Sequence, residues 1–430
     1  MADPIFNQEL MGFPYHIHHI QLASGIDSMP EVNAKPYGNY LVFWWKSIPL
    51  GDVYLDPEQN LTINDYSELV FNSIYKSLRF YGLSNEIDFG FGNFNQNSTR
   101  WLNKMETLFS AYTDQDIPEE VQVSVIICTR NRPEQLQRCL SMVRELSCQP
   151  AEIIVVDNAS DNSLTFETSQ KFAEVKYIPE PLIGLDRARN SGIRASQNPI
   201  VFFIDDDVVV HPLCLWRIWE TFQEPSVAAM TGLVIAHALE TEGQILFEKH
   251  WSFNRGYSDK QYDADYFRIN LSKGPPVWDI GAGANMAFRK DVFNNVGLFD
   301  EILDVGAAGC SGDSEMWFRI LNKGLKITYN PRAVVYHEHR KELKALKKQM
   351  FSYSRGYITA ALLQQQQNPK TGYLRHLLFR VPKYYLYRIK NGFPKYQERY
   401  HTLWAEISGL SSGLIYYFRN KHKSSRLKKY

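Results

Sequence analysis

The chain has 430 residues, 44% hydrophobic and 22% charged, which excludes a disordered chain and provides for two or three domains. Its formal net charge is zero, but the charges are segregated: residues 341–430 hold 19 Lys+Arg against three acids (Glu342, Glu398, Glu406), and residues 1–340 hold the opposite excess. Such asymmetry predicts that the basic tail meets something anionic.

Residues 1–117 read as a small N-terminal α+β domain with a linker. Within it, 38–45 reads as a strand, 49–51 as a turn and 52–55 as a second short strand. Asn64 is the expected N-cap of a helix over 67–78, with Leu69, Val70, Ile74 and Leu78 on one face. The polar stretch 85–100 reads as linker. Residues 118–345 alternate strand and helix. Apolar runs at 121–128, 153–156, 175–178 and 200–204 read as strands, and helices are expected from Pro133 and over 185–195. Short, fully apolar strands separated by helices predict an α/β fold, a mostly parallel sheet flanked by helices. Residues 346–430 read as a basic helical region that Gly356, Pro369, Gly372, Pro382 and Pro394 divide into short pieces.

No apolar run reaches the ~20 residues that span a bilayer. The opening MADPIFNQEL lacks the basic and apolar regions of a signal peptide. Five cysteines without CxxC spacing read as reduced thiols. A cytoplasmic location is expected, extended to the inner face of the cytoplasmic membrane if residues 370–430 bind anionic lipid. Their interleaved cations and apolar residues suit an interfacial helix, and no nucleic-acid motif accompanies them.

Ligands of parallel sheets bind beyond the carboxyl ends of strands. Three strand ends there carry polar groups: Thr129-Arg130-Asn131-Arg132, Asp157-Asn158-Ala159-Ser160 and Asp205-Asp206-Asp207. Asn158 and Ser160 serve equally well as turn caps. Three adjacent carboxylates repel one another, and a hard cation such as Mn²⁺ or Mg²⁺ relieves that cost. Of the arginines in GLDRARNSGIRA, Arg189 suits a phosphate or base contact and Arg194 a solvated face.

VSVIICTRNRP, IIVVDNASDNS, GLDRARNSGI and FFIDDDVVVHP, followed in order by GAGANMAFRKDVFNNVGLFDE, GDSEMWFRI and YNPRAVVYHEHR, resemble the successive motifs of family 2 glycosyltransferases. The resemblance covers roughly residues 121–360 and implies the GT-A fold. It extends more loosely, through FEKHWSFNRGY, to a bacterial subgroup with a small N-terminal domain. It also implies roles. Thr129, Arg130, Asp157, Arg189, Asp205 and Asp206 would bind the nucleotide-sugar donor, with Asp157 accepting from a pyrimidine N–H. Asp207 would hold the metal, with His337 completing its shell and His339 a competing choice. Asp313, six residues before Arg319, would be the catalytic base. Trp278, Gly283, Ala284, Asn285 and Glu315 would line the acceptor side. The family often has an acid immediately before the base, where this chain has Gly312.

The function implied is inverting, metal-dependent transfer from a nucleotide-diphosphate sugar, a UDP-sugar by default, to a glycan, lipid-linked or other hydroxyl acceptor. A noncatalytic GT-A-like scaffold partner is the alternative. A nucleotidyltransferase is disfavoured, because the first strand end lacks a glycine-rich phosphate loop. The basic tail lies beyond the last matched motif, so its expected job is location or acceptor access.

Overall fold

The computed structural model describes residues 14–24, 37–57, 62–82, 98–112, 116–305 and 307–424. In the N-terminal module, β1 (Tyr15–Gln21), β2 (Gly38–Trp45) and β3 (Ile48–Leu55) form a sheet in that order, β1 parallel and β3 antiparallel to β2. The β2–β3 turn falls at Lys46, whose φ is 53°. The expected turn at 49–51 therefore lies inside β3, where Gly51 is pressed against the backbone of Ser73. That residue belongs to α1 (Ile63–Phe80), which is longer than predicted. Its N-cap is Thr62, not Asn64. The Thr62 hydroxyl accepts from the Asp65 N–H, and the Asp65 carboxylate accepts from the Thr62 N–H at 2.9 Å, a capping box. A second helix, α2 (Ser98–Phe109), begins within the stretch expected to be linker; residues 85–97 of that stretch lie outside the described residues.

Strand alternation makes β2 a two-sided joint. Leu41, Phe43 and Trp45 face a core shared with α1 and α2, whereas Tyr40, Val42 and Trp44 join the core of the large domain. Trp44 stacks on His211, and Lys249 donates to the Tyr15 hydroxyl at 2.7 Å. The module is thus docked face-on against the large domain.

The large sheet contains β4 (Glu120–Thr129), β5 (Gln149–Asn158), β6 (Val175–Glu180), β7 (Ile200–Asp205), β8 (Val208–Val210), β9 (Val227–Ala236), β10 (Lys260–Tyr262), β11 (Asn285–Arg289) and β12 (Lys326–His337). Its order is β10-β12-β9-β11-β7-β4-β5-β6, with β8 paired to β12. Strands β6, β5, β4 and β7 run parallel, β9 is parallel to β12, and β11 is reversed between β7 and β9. The expected mostly parallel sheet is present. Both faces are covered: along β4, Val125 and Ile127 face one core with α3 (Pro133–Arg144), while Ile126 faces the other with α4 (Leu185–Ala195).

Beyond β12, α5 (Leu343–Gln367) runs for 25 residues without a break. Gly356 does not divide it. A Cβ there would fall 2.7 Å from the Cys310 carbonyl oxygen, so this glycine permits close approach of the helix to the domain. Two further helices follow, α6 (Val381–Gly392) and α7 (Leu403–Asn420).

Arg332 ties the two modules. It sits in an irregularity of β12, donates to the Tyr81 hydroxyl at 2.9 Å and forks onto Asp259 at 2.7 Å twice. Removing a largely buried guanidinium strands its half-buried partner. Arg332→Ala should therefore lower stability by about 2 kcal/mol, read as a fall in the urea midpoint. An unchanged midpoint would mean that the joint rests on apolar contact alone.

Candidate active site

The carboxyl ends of β4, β5 and β7 meet along one rim, since Thr129 pairs with Asp157 and Cys128 with Asp205 in neighbouring strands. The first two loops fold back alike. Asn131 and Ala159 both take left-handed backbone (φ 55° and 52°), and the loops are clasped by Asn131 Nδ2 donating to Asp161 at 2.6 Å and the Asp161 N–H donating to Asn131 Oδ1 at 2.8 Å. Asn158 is a turn cap. Its amide donates to the Leu182 carbonyl and accepts from the Gly184 N–H. Ser160 donates to Asp157, whose other oxygen accepts from Tyr177 at 2.7 Å. Arg130 is exposed, 4.0 Å from Asp161.

The acidic cluster is sorted by its contacts. Asp206 is buried and held by donors, Thr129 Oγ1 at 2.7 Å and Arg132 at 2.8 Å. Thr129 and Asp206 thus bind each other. Asp207 accepts from the same Arg132 at 3.1 Å. Burial, then the charge of Asp207, pushes the Asp205 carboxyl above the usual carboxylate range. Strand β8 carries the chain from this cluster back to β12, placing Val208 opposite His337. That register brings His337 Nε2 to 3.5 Å from Asp207 Oδ1. Asp205, Asp207 and His337 offer ligand atoms within 4.8 Å of one another.

Hydrogen bonding distinguishes the two histidines. Glu248 accepts from His339 Nε2 at 2.7 Å, and the two Nδ1 atoms of His339 and His337 lie 3.1 Å apart. In the tautomer in which His339 donates from Nε2 and accepts at Nδ1, His337 Nδ1 would carry the proton between the two rings. His337 Nε2 is then left with a lone pair facing the Asp207 carboxylate. Burial pushes the His337 imidazole down to about 4, which keeps the ring neutral. Two lone-pair donors that face each other fit a divalent cation between them. His339 lies behind His337 and is fully engaged with it and Glu248.

Asp313 stands in the first turn of α8 (Gly312–Asn322), within range of the Arg189 charge. Its Oδ2 accepts from the Gly283 N–H at 2.9 Å and its Oδ1 from the Ser314 N–H at 2.7 Å. A Cβ at Gly283 would lie 2.7 Å from Arg189 Nη2, so a larger residue there would make that guanidinium shift. Arg189 is buried, bonds Asp186 at 3.0 Å and feels the charges of both Asp205 and Asp313. The Gly312 departure has a local cause: a Cβ there would lie 2.2 Å from the Asp186 carboxylate. Asp186 fills the space that a side chain at 312 would need.

Two residues expected on the acceptor side are committed elsewhere. The Glu315 carboxylate is fully buried, bonded by Arg319 at 2.8 Å and Gln367 at 3.0 Å, so it is a structural ion pair within α8. The Asn285 amide bonds the Leu233 and Ala333 carbonyls inside the sheet, bridging β9 and β12. Ala284 is also buried. Trp278 is half-buried, edge-on to Tyr357 and tilted against His376. Sequence reasoning assigned no role to Arg132, Asp186 or Glu248. The first two adjoin predicted residues within quoted motifs, which was the available signal. Nothing in the sequence pointed from Glu248 to His339.

Residues 124–297 match the sequence model of Glycosyl transferase family 2. Glycosyltransferase AglE of Haloferax volcanii is 28% identical over 250 residues, 56% of this chain and 75% of that one. The pre-mycofactocin glycosyltransferase of Mycobacterium tuberculosis is 26% identical over 230 residues, and the match spans 53% of this chain but only 45% of the mycobacterial protein. Among solved structures, the Pyrobaculum calidifontis mannosyltransferase PcManGT, in complex with GDP-Man and Mn²⁺, aligns with a TM-score of 0.44 at 16% identity, covering 75% of this chain and 95% of that one. Over residues 124–297 the chain is thus similar to glycosyl transferase family 2, and those residues lie in a mixed sheet flanked by helices.

Proposed function

We propose that the protein transfers a sugar from a nucleotide-diphosphate sugar, a UDP-sugar first, to a hydroxyl acceptor with inversion, in polysaccharide or glycoconjugate synthesis. The observation that carries this reading is the pairing of a three-ligand set, Asp205, Asp207 and His337, with a separate carboxylate, Asp313, across Arg189. Asp205, Asp207 and His337 would hold Mn²⁺ or Mg²⁺. A divalent cation bound there supplies charge stabilisation to the diphosphate leaving group.

The chain's own residues do the rest. Asp157 and the clasped loops after β4 and β5, including Thr129 and Arg130, would receive the nucleoside. Arg189 would meet the diphosphate side of the donor, and the Thr129–Asp206–Arg132 contacts hold the acidic turn in place. Asp313 removes the proton of the acceptor hydroxyl as its oxygen attacks C1. The bond from C1 to the diphosphate oxygen breaks as the new one forms on the opposite face, and the anomeric configuration inverts. The Gly283 and Ser314 N–H groups keep the Asp313 carboxylate aimed. Trp278 and the backbone at Gly283 and Ala284 would border the acceptor. A lipid-linked acceptor at an anionic membrane surface is the setting that the basic tail favours.

Asp313→Asn should lower kcat for transfer by about 10²–10⁴-fold with donor affinity nearly unchanged, measured with nucleotide-sugars and Mn²⁺. Asp207→Ala should abolish metal-dependent donor binding. Wild-type turnover in both variants would overturn this assignment of the site, and a wild type without turnover would leave a noncatalytic scaffold as the better reading. His339→Phe, which keeps an aromatic ring but removes the acceptor for His337, should weaken Mn²⁺ binding about 10–100-fold, read by electron paramagnetic resonance of free Mn²⁺. Protons also compete with the cation at Asp205, whose carboxyl is pushed up to about 7. Mn²⁺ affinity should therefore hold above that pH and fall as pH drops through it; a flat profile from pH 8 to about 6 would contradict this assignment.

A further inference from the structure

Large exposed apolar side chains are scattered over most of this protein, as is normal for a soluble surface, but not at its C-terminal end. Of the nineteen among the described residues, eleven lie between Leu374 and Phe418. Packing fixes how α7 presents its share. Gly409 and Gly413 lie against the backbone of α5, where a Cβ would come 2.3 Å from the Phe351 carbonyl oxygen and 2.4 Å from that of Arg355. Those contacts turn Gly409, Gly413 and Tyr417 inward and leave Trp404, Leu414, Ile415 and Phe418 outward. In the helical run before Gly392, Tyr373 and Gly392 are buried, while two adjoining rows at four-residue spacing face solvent. One row carries Leu374, Leu378 and Leu386; the other carries Arg375, Phe379, Lys383 and Tyr387.

The same surface is cationic. Arg375, Arg380, Lys383, Lys390 and Lys395 are exposed, and none pairs with a carboxylate among the described residues. Of the two acids beyond residue 370, Glu406 is buried against Arg399 at 2.6 Å, which leaves Glu398 alone at the surface. No described helix is long and apolar enough to cross a membrane. Exposed apolar rows flanked by unpaired cations match an interfacial surface, in which apolar groups enter the acyl boundary and cations meet lipid phosphates.

We propose that residues 374–393 and the outer face of α7 dock the protein on an anionic phospholipid surface. The docking stands apart from the catalytic reading; only its use rests on that reading. The use follows from position. Tyr373 donates to the Pro275 carbonyl at 2.6 Å, and His376 lies against Trp278, so the docking surface continues into the loop that borders the acceptor side of the cleft. An acceptor hydroxyl carried on a lipid-anchored head group would be presented there from the bilayer.

The test is co-sedimentation of the full chain with vesicles of phosphatidylglycerol and phosphatidylcholine, against vesicles of phosphatidylcholine alone. Binding is expected only to the anionic vesicles and should weaken as salt rises. Lys383→Gln with Lys390→Gln should lower the partition coefficient about 25-fold, near fivefold for each cation removed. Phe379→Ser with Phe418→Ser should reduce it comparably, while all variants keep wild-type transfer to a water-soluble acceptor. Equal binding to both vesicle types, or variants that sediment like the wild type, would overturn the proposal. So would a wild type that ignores vesicles but forms a dimer which Phe379→Ser with Phe418→Ser dissociates, since the surface would then belong to a second copy of this chain. Loss of soluble transfer in Asp313→Asn with vesicle binding intact would separate the two readings.

Discussion

The structure turns on an excess of negative charge held at low exposure beyond the end of β7. Asp205, Asp206 and Asp207 follow a strand that is buried along most of its length, and Asp186 and Asp313 approach from α4 and α8. Arg132 and Arg189 are the cations in direct contact with this group. Two like charges 4 Å apart repel by about 4 kcal/mol at an effective dielectric of about 20, so such an arrangement persists where positive charge is expected to arrive. The unfilled demand is concentrated on Asp205, Asp207 and His337. The neighbouring contacts explain why: Asp206 is satisfied by Thr129 and Arg132, while His339, held by Glu248, engages His337 Nδ1 and leaves Nε2 as the ring nitrogen near Asp207.

Strand positions and the rim they build were legible because they depend on local pattern. Residues 185–195 form the predicted helix at its predicted bounds, and the strands after 121, 153, 175 and 200 deliver their polar ends to one edge. Side-chain direction was not legible to the same extent. Asn285 and Glu315 lie within motifs that face the cleft, yet one amide is spent bridging β9 to β12 and the other carboxylate is neutralised by Arg319 one helical turn away. Motif position places a backbone near a cleft; only the contacts of each side chain decide whether it reaches in. The Gly312 departure shows the reverse case, since its cause, Asp186, lies 126 positions earlier in the chain.

The zero net charge divides along functional lines. The acidic side includes the cation-demanding cluster, and the basic side carries the exposed rows of the C-terminal helices. The division is not a strict separation of tasks. Gln367 completes the Glu315–Arg319 pair from the end of α5, and Tyr357 and His376 hold Trp278 in place. The basic region therefore packs against Trp278 and Glu315 as well as carrying the surface proposed to meet lipid. At the other end of the chain, β2 shares its two faces between two cores, which makes the N-terminal module part of the rigid support behind the sheet.

In the proposed site, His337 Nε2 and the carboxylates of Asp205 and Asp207 enclose one divalent cation that faces a nucleoside diphosphate. Anomalous diffraction at the manganese edge, from crystals grown with Mn²⁺ and UDP, tests this most directly. One strong peak is expected, bounded by Asp207 and His337 Nε2, with diphosphate oxygens on its open side. A peak held by other residues, or none with UDP clearly bound, would contradict it.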